Sequence, residues 1–481
     1  MNYGIVLRVL GILLIIEGFL MIPSLLISFY SQGPDLKAFA IGILLAFFLG
    51  IILSRKKAKT PSISAREGLA IVSFGWIFAS LIGAIPLYIS QATPTYIEAF
   101  FEIVSGFTTT GASVISNVEA LPKGILFWRS FTHWIGGMGI LVFTVALLPA
   151  LGIGGFQIFK AESPGPIAGK VAPRIRDTAK ILYSTYFIIT IIQVILLLFG
   201  GMSIFESLTH SFGTVGTGGF GIRNSSLGSY SSYIQMVVGV FMILSGVNFS
   251  LYYSLFKGNL KDAWYNEELR LYLAIILFAT IGISFNLYLT NYSSFGISAR
   301  DSFFQVGSII TTTGYSTADF DLWPSFSKGI LLLLMFIGGS AGSTAGGMKV
   351  IRILIMFKLI RREITKIFHP RAIILLKNDD KVISNEVVAG IYSFIALYLV
   401  IFALGTLLVS LEGVNLESAA SSVIATLSNI GPGLGFVGPT RSFAGYSQAT
   451  KLLLSFFMLL GRLEFFTIIA LFAPRTWRGE I

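Results

Sequence analysis

Cysteine is absent from the chain, which removes disulfides, thiol chemistry and cysteine-ligated metals and leaves the redox compartment undetermined. Charge is scarce too: Asp, Glu, Lys and Arg make up 12% of 481 residues, against 54% hydrophobic ones. Soluble domains carry about 25% charged residues, and no soluble core could hide this much apolar surface. The net charge of +11 does not point to nucleic acid, because the basic residues form short clusters between apolar runs instead of covering one polar domain. Basic clusters in that arrangement mark the cytoplasmic loops of a membrane protein.

What is present, then, is an all-α polytopic membrane protein. Residues 4–30 are apolar apart from Arg8 and Glu17, and 36–53 form a second run closed by Arg55-Lys56-Lys57-Ala58-Lys59. Each can cross about 30 Å of hydrocarbon, and the first is too long, and lacks the small-residue cleavage site, for a removed signal peptide. Residues 1–60 are therefore expected to be a pair of transmembrane helices. From Glu67 onward one grammar repeats: a long apolar helix (M1), a short amphipathic pore helix, a Thr/Gly turn, and another long apolar helix (M2). The repeats are placed at 66–150, 178–257, 266–362 and 383–475. Their pore segments are expected at 96–108, 204–213, 299–310 and 416–427, and their M2 helices at 124–149, 231–256, 327–360 and 447–473.

The four turns contain Thr108-Thr109-Thr110-Gly111, Thr214-Val215-Gly216-Thr217-Gly218-Gly219, Thr311-Thr312-Thr313-Gly314 and the more divergent Ser428-Asn429-Ile430-Gly431. With Gly111, Gly218, Gly314 and Gly431 taken as equivalent, the spacings 111→218, 218→314 and 314→431 are 107, 96 and 117 residues, each room for two crossings and a loop. The pore segments are too short to span, and Glu98, Glu102 and Asp301 near their starts complement the positive end of a helix dipole. Re-entrant half-helices explain both features, since non-helical backbone at membrane depth is tolerated where it lines a wet cavity. Gly216 to Gly221 also fits G-x-G-x-x-G, but no βαβ unit surrounds it. Two crossings per unit make the four units parallel about one pseudo-fourfold axis. The basic clusters (Arg55 to Lys59; Lys160, Lys170, Arg174, Arg176 and Lys180; Lys257, Lys261 and Arg270; Lys358 to Lys381; Arg475 and Arg478) all fall opposite the turns. By the positive-inside rule this gives ten crossings, both termini cytoplasmic and turns opening outward.

Such turns suit a dehydrated monovalent cation, because backbone carbonyls replace its water without net charge and so let it leave again. Glycine frees the backbone to aim its carbonyls at the axis, and the threonines add hydroxyls behind them. The expected filter is Thr109, Thr110 and Gly111; Gly216, Thr217 and Gly218; Thr312, Thr313 and Gly314; and Asn429, Ile430 and Gly431. Below it, residues 327–360 would extend about 50 Å as one helix. Five glycines in ten residues (Gly338, Gly339, Gly342, Gly346 and Gly347) cost a helix about 1 kcal/mol each relative to alanine, so a mobile gate loop ending near Lys349 is expected. The competing reading is a helix-packing stripe at Gly338, Gly342 and Gly346. Arg462, about halfway along the last M2, must face water or a partner; Glu464, two residues on, projects from a different helix face. His133 and His210 read as satisfied helix-end residues.

These turns, with Gly346-Gly347-Met348-Lys349-Val350 and Gly461-Arg462-Leu463-Glu464-Phe465, resemble the Trk/Ktr/HKT family of potassium transporters over nearly the whole chain, and the extra amino-terminal pair is similar to its TrkH branch. The resemblance implies a homodimer with one pore per subunit and a cytosolic TrkA-like nucleotide-binding ring. In the family a serine in the first filter turn goes with sodium permeation; Gly111 holds that place here, which favours potassium. The function expected is potassium uptake across the plasma (cell inner) membrane, driven by the membrane potential, with K+ as the bound and transported ion. No other cofactor, no nucleic acid and no enzymatic activity is expected, and membrane lipid is the surrounding partner. The alternative is a sodium- or proton-coupled alternating-access symporter, which more usually shows inverted repeats and a closed midplane site.

Overall fold

The computed structural model describes residues 1–57, 63–139, 175–290, 292–379 and 381–477. Among them, six helices are long and apolar enough to cross a membrane: Tyr3–Tyr30, Leu36–Ser54, Ala65–Ile89, the Lys180–Phe199 part of Ile175–Phe199, Glu267–Thr290 and Asn385–Ser410. Two further spans are bent pairs, Ser232–Ser245 with Phe249–Phe256 at 93° and Gln448–Arg462 with Phe466–Phe472 at 117°. The chain is thus a multi-pass helical membrane protein. Of the expected M2 helices, the first is described as Lys123–Gly137, and its continuation 140–149, with Lys59, Lys160, Lys170, Arg174 and Arg478, lies outside the described residues. The third is interrupted between Ser325–Ile337 and Val350–Phe368.

The amino-terminal pair is apolar on all sides, and exposed Phe19, Phe29, Leu44 and Phe48 present a surface suited to lipid. Its two helices meet backbone to backbone: a Cβ at Gly11 would lie 2.7 Å from the Gly50 carbonyl oxygen, and one at Gly50 would lie 2.9 Å from that of Gly11. The pair then packs on Ala65–Ile89. A capping box of Ser64 and Glu67 starts that helix, and Glu67 also accepts the Asn2 N–H at 2.8 Å, joining its start to the amino terminus.

Four short helices, Tyr96–Phe107, Ile204–Val215, Phe295–Ile310 and Leu416–Leu427, are 12, 12, 16 and 12 residues long. At 1.5 Å per residue each reaches about 18–24 Å, short of a bilayer. Thr95, Ser203 and Asn415 cap three of them, with Glu98, Glu206 and Glu417 in the first turn. Two acidic residues expected at helix starts sit elsewhere. The third short helix begins at Phe295, so Asp301 lies well inside it, where it accepts from Arg300 and from the Tyr292 hydroxyl, both at 3.1 Å. Glu102 is likewise inside its helix and is ion-paired with Arg129 at 2.6 Å.

Because the Gly11–Gly50 crossing has no room for a side chain, Gly11→Val should cost about 1–3 kcal/mol through overpacking. The expected result is a lower midpoint of thermal unfolding in detergent, with ion flux per folded molecule unchanged.

Candidate functional site

Each short helix ends in the same way. Thr109, Thr217, Thr312 and Asn429 follow the helix caps with φ of 56°, 54°, 56° and 57°. Their N–H groups bond back to Gly106, Thr214, Ile309 and Thr426, and the next residues' N–H groups bond to Ser105, Gly213, Ser308 and Ala425. This is the Schellman closure, which satisfies the last carbonyls of a helix by reversing the chain through one left-handed residue. Glycine normally fills that position. Here threonine or asparagine does, and the glycine comes two residues later, at a second positive φ: Gly111 at 78°, Gly219 at 78°, Gly314 at 85° and Gly431 at 100°.

These glycines close a cycle. A Cβ at Gly111 would collide with the carbonyl oxygen of Gly218, one at Gly219 with that of Thr313, and one at Gly314 with that of Ile430; at Gly431 it would lie 2.7 Å from the Thr110 carbonyl oxygen. Each turn therefore leans its glycine on the preceding-position carbonyl of the next. The structure brings Thr109, Thr110, Gly111, Thr312, Thr313, Gly314, Asn429, Ile430 and Gly431 together as expected neighbours. In the second turn the expected triplet is one residue early: Thr217, Gly218 and Gly219 occupy the equivalent places, and Gly216 is the helix cap. Four neighbouring residues with three glycines gave no spacing signal to choose between registers; the left-handed threonine does. Behind the turns, the Thr108 and Thr311 hydroxyls donate to Val104 (2.7 Å) and Gly307 (2.6 Å) and contact the Thr110 and Thr313 hydroxyls at 2.8 Å. Asn429 spans to the first turn, its Nδ2 donating to Thr110 Oγ1 and to the Met458 carbonyl, both at 2.9 Å.

All four ring glycines line a recess on one side of the turns. Near that recess, burial would raise the Glu206 carboxyl, but hydrogen bonds from the Ser203 backbone, Arg223, the Ser203 hydroxyl and Tyr230 outweigh it and bring the group down to about 2, so it stays charged at neutral pH. On the opposite side a second recess is lined by Trp76, Phe249, Gly346, Lys349, Arg462 and Glu464. Among the described residues no group of three or more His, Cys, Asp or Glu could hold a metal ion.

Between the ring and this second recess lies the glycine-rich segment, non-helical from Gly338 to Lys349. Positive φ at Gly338, Gly342 and Gly347 (79°, 71° and 76°) and at Lys349 (75°) rules out the helical packing stripe. The loop folds on itself, Gly338 against Gly346 and Gly347, and seats in the bend between Ser232–Ser245 and Phe249–Phe256: Ser340 N–H donates to Gly246 (2.9 Å) and Phe249 N–H to Gly342 (3.0 Å). It also touches the ring, since Gly346 N–H donates to Thr312 Oγ1 at 2.6 Å and a Cβ there would lie 3.1 Å from that of Asn429. Gly339 packs on Ala345, and buried Lys349 donates to the Ala345 carbonyl.

Arg462 is not halfway along a helix but the last residue of Gln448–Arg462, where the chain turns away. Its Nη1 donates to Thr344 (3.0 Å) and approaches Thr109 Oγ1 (3.4 Å); its Nη2 donates to Gly137 (3.0 Å) and Gly136. One guanidinium thus joins the glycine-rich segment, the first turn and the carbonyl end of Lys123–Gly137, where a cation complements the helix dipole. Glu464 pairs with Arg352 at 2.6 Å. Two participants escaped the sequence reading: Arg352, and Glu268, whose Oε1 accepts from Ala341 (2.7 Å) and Ile351 (3.1 Å) and so ties the loop to the next helix. Their partners are 112 and 73 to 83 residues away, beyond the reach of any local pattern.

Residues 35–478 match the family model TrkH, described as a cation transport protein. The chain is 38% identical to the Trk system potassium uptake protein TrkH of Escherichia coli K12, over 99% of this chain and 100% of that one. It is 35% identical to TrkG of the same organism over 99% of both. Its fold is similar to the crystal structure of the potassium transporter TrkH from Vibrio parahaemolyticus, with a TM-score of 0.88 and 35% identity over 99% of this chain and 100% of that one.

Glu268→Ala removes one acceptor from two buried N–H groups, each worth about 1–3 kcal/mol when left unmet. Hydrogen exchange should speed up at Ala341 and Ile351 while the turns around Thr110 and Thr313 stay protected. Unchanged exchange at both amides would show that Glu268 does not hold the segment.

Proposed function

The chain belongs to the TrkH family of cation transport proteins, and from that premise we propose that it takes up potassium through the ring of four turns. The observation that carries this is the cyclic contact in which every ring glycine leans on a carbonyl of the next turn. On this reading the four units are parallel M1–pore helix–M2 repeats around one pseudo-fourfold pore. With the amino-terminal pair they make ten crossings in the plasma (cell inner) membrane, both termini cytoplasmic. The carbonyls of the turns replace water around K+, and their neutrality lets it leave. The short helices point their negative ends at the same place, and the membrane potential supplies about 2.3 kcal/mol per charge per 100 mV.

Segment 338–349 and Arg462 form the gate on this reading. Support comes from their contacts with Thr109, Thr312 and Asn429 directly beneath the ring. A unit charge about 6 Å from the ion path raises its barrier by about 3 kcal/mol at an effective dielectric of 20, on the order of 100-fold in rate. A homodimer with a pore in each subunit, regulated by a cytosolic nucleotide-binding ring, completes the proposed assembly, as the resemblance to the Trk/Ktr/HKT family implies.

Two experiments test the two halves. Gly111→Ser puts a side chain against the Gly218 carbonyl and should weaken the preference for potassium over sodium in reversal potentials; serine at Gly111, Gly219, Gly314 and Gly431 with unaltered selectivity would defeat the ring. Arg462→Ala, and deletion of residues 339–345, should raise potassium flux in stably expressed protein, most visibly without the regulatory partner. If Arg462→Ala instead lowers thermal stability and flux falls with the folded fraction, Arg462 is a structural cross-brace and not a gate.

A further inference from the structure

Phe220 follows the second turn's Gly219 and is buried. Arg129 and His133, one helical turn apart on Lys123–Gly137, both close on it. The Arg129 guanidinium lies 4.2 Å from the ring centroid, within cation–π range, and the His133 imidazole centroid is also 4.2 Å away, tilted by 37°. The Phe220 N–H donates to His133 Nε2 at 3.2 Å. Nε2 is therefore the acceptor nitrogen, and in the neutral ring Nδ1 carries the proton, donating it to the Gly106 carbonyl at 2.8 Å. One imidazole in one tautomer thus bridges the end of the first pore helix and the exit of the second turn. It also fills the space beside Gly218, where a Cβ would strike the ring.

Arg129 continues the same bridge toward the first turn. Its Nε donates to Glu102 Oε1 at 2.8 Å, and its Nη2 reaches Ser113 Oγ at 3.3 Å. Glu102 in turn accepts from the Ser113 hydroxyl and from the Val114 N–H, each at 2.9 Å. All three side chains are buried, at 0% for Glu102 and His133 and 1% for Arg129. Burying an ion pair contributes little net stability, so this one is better explained by the geometry it imposes. The other seams are built differently: Tyr315 OH reaches Phe220 O (3.3 Å) between the second and third turns, Asp321 accepts the Gly435 N–H (2.9 Å) between the third and fourth, and Asn429 joins the fourth to the first.

We propose that Glu102, Arg129 and His133 form a clamp that fixes the separation of the first and second turns and thereby sets the size of cation the ring accepts. They are specificity-determining positioning residues that touch no ion, and the proposal rests on the reading of the ring as a filter. Where cavity size does the selecting, a four-part ring discriminates against the smaller sodium ion through seams that cannot close around it. Loosening one seam releases that restraint while leaving the pore helices in place.

The test uses the full chain reconstituted in liposomes, with potassium, rubidium and sodium reversal potentials measured beside the thermal unfolding midpoint. His133→Asn keeps a donor near Nδ1 but loses the acceptor for Phe220 N–H; His133→Gln restores an acceptor near the Nε2 position. The paired change E102Q with R129Q removes both charges together and so avoids stranding one. His133→Asn and the double variant should raise relative sodium permeability on the order of tenfold, about 1.4 kcal/mol, with His133→Gln closer to wild type. Phe220→Leu, which keeps the backbone N–H and removes the gripped ring, should shift selectivity in the same direction and decides the matter should the other variants fail to fold. Wild-type selectivity in all the variants that fold overturns the clamp. If serine at Gly111, Gly219, Gly314 and Gly431 also leaves selectivity unaltered in this assay, the filter reading falls with it; if serine at any of the four alters it, only the clamp is lost.

Discussion

Four helices of 12 to 16 residues that end in the buried interior must dispose of their last carbonyl groups, because each buried polar group left unmet costs about 1–3 kcal/mol. The rest of the molecule is arranged around that constraint. The Schellman closure at Thr109, Thr217, Thr312 and Asn429 turns the chain back so that its own N–H groups meet the helix end. The next carbonyls, from Thr110, Gly218, Thr313 and Ile430, are left to face the glycine of the neighbouring turn. A β-branched residue at positive φ carries strain of about 1–3 kcal/mol, and three of the four closing residues are threonines. That conformation persists because the surroundings over-determine it. Helices Lys123–Gly137 and Gln448–Arg462 pass immediately behind: a Cβ at Gly136 would collide with the Phe107 carbonyl, and one at Gly461 with the Leu427 carbonyl.

The bends between Ser232–Ser245 and Phe249–Phe256 and between Gln448–Arg462 and Phe466–Phe472 answer the same problem. Gly246 ends a helix and offers its carbonyl to Ser340 of the loop, and the loop's Gly342 carbonyl receives the N–H of Phe249, where the bent helix resumes. Neither interruption is satisfied alone; each supplies what the other lacks. At the last M2 the chain reverses through Glu464 and Phe465 at φ of 53° and 57°. Glu464, held by Arg352, and Phe465, packed against Phe394 and Tyr398, keep that reversal in place.

Long apolar runs and short amphipathic segments were legible in the sequence because burial on all sides or one side is written in local composition, and the unbroken long helices lie within a few residues of their expected places. The third short helix begins four residues early, and the helix after the glycine-rich segment runs on to Phe368, past the expected 360. Three of the four turns were legible through threonine next to glycine, the fourth through the spacing of Gly431 from the others, and the break after Ile337 through its five glycines. The bend at Gly246 left a weaker trace, one glycine followed by Asn248, whose side chain caps the next helix. The reversal after Arg462 left none, since no glycine or proline marks residues 463–465 and packing by remote residues imposes it. Ion pairs such as Glu102 with Arg129 and Glu98 with Lys451 were equally hidden. An acid on a short helix reads as a dipole partner until the topology brings a base to it.

Hydroxyl groups of the left-handed threonines show how the ring and the loop depend on each other. Thr217 binds the Gly216 carbonyl of its own turn at 2.7 Å. Thr312 receives the Gly346 N–H of the loop, and Thr109 faces Arg462, which also holds the loop through the Thr344 carbonyl. One strained position, Thr312, is therefore supported by the segment itself, and a second, Thr109, by the arginine that holds the segment. Withdrawing the loop removes the Gly346 donor and one Arg462 acceptor in the same movement, so it changes what holds the ring as well as what lies beneath it. With the loop seated, the same contacts brace the third turn directly and hold Arg462 beside the first.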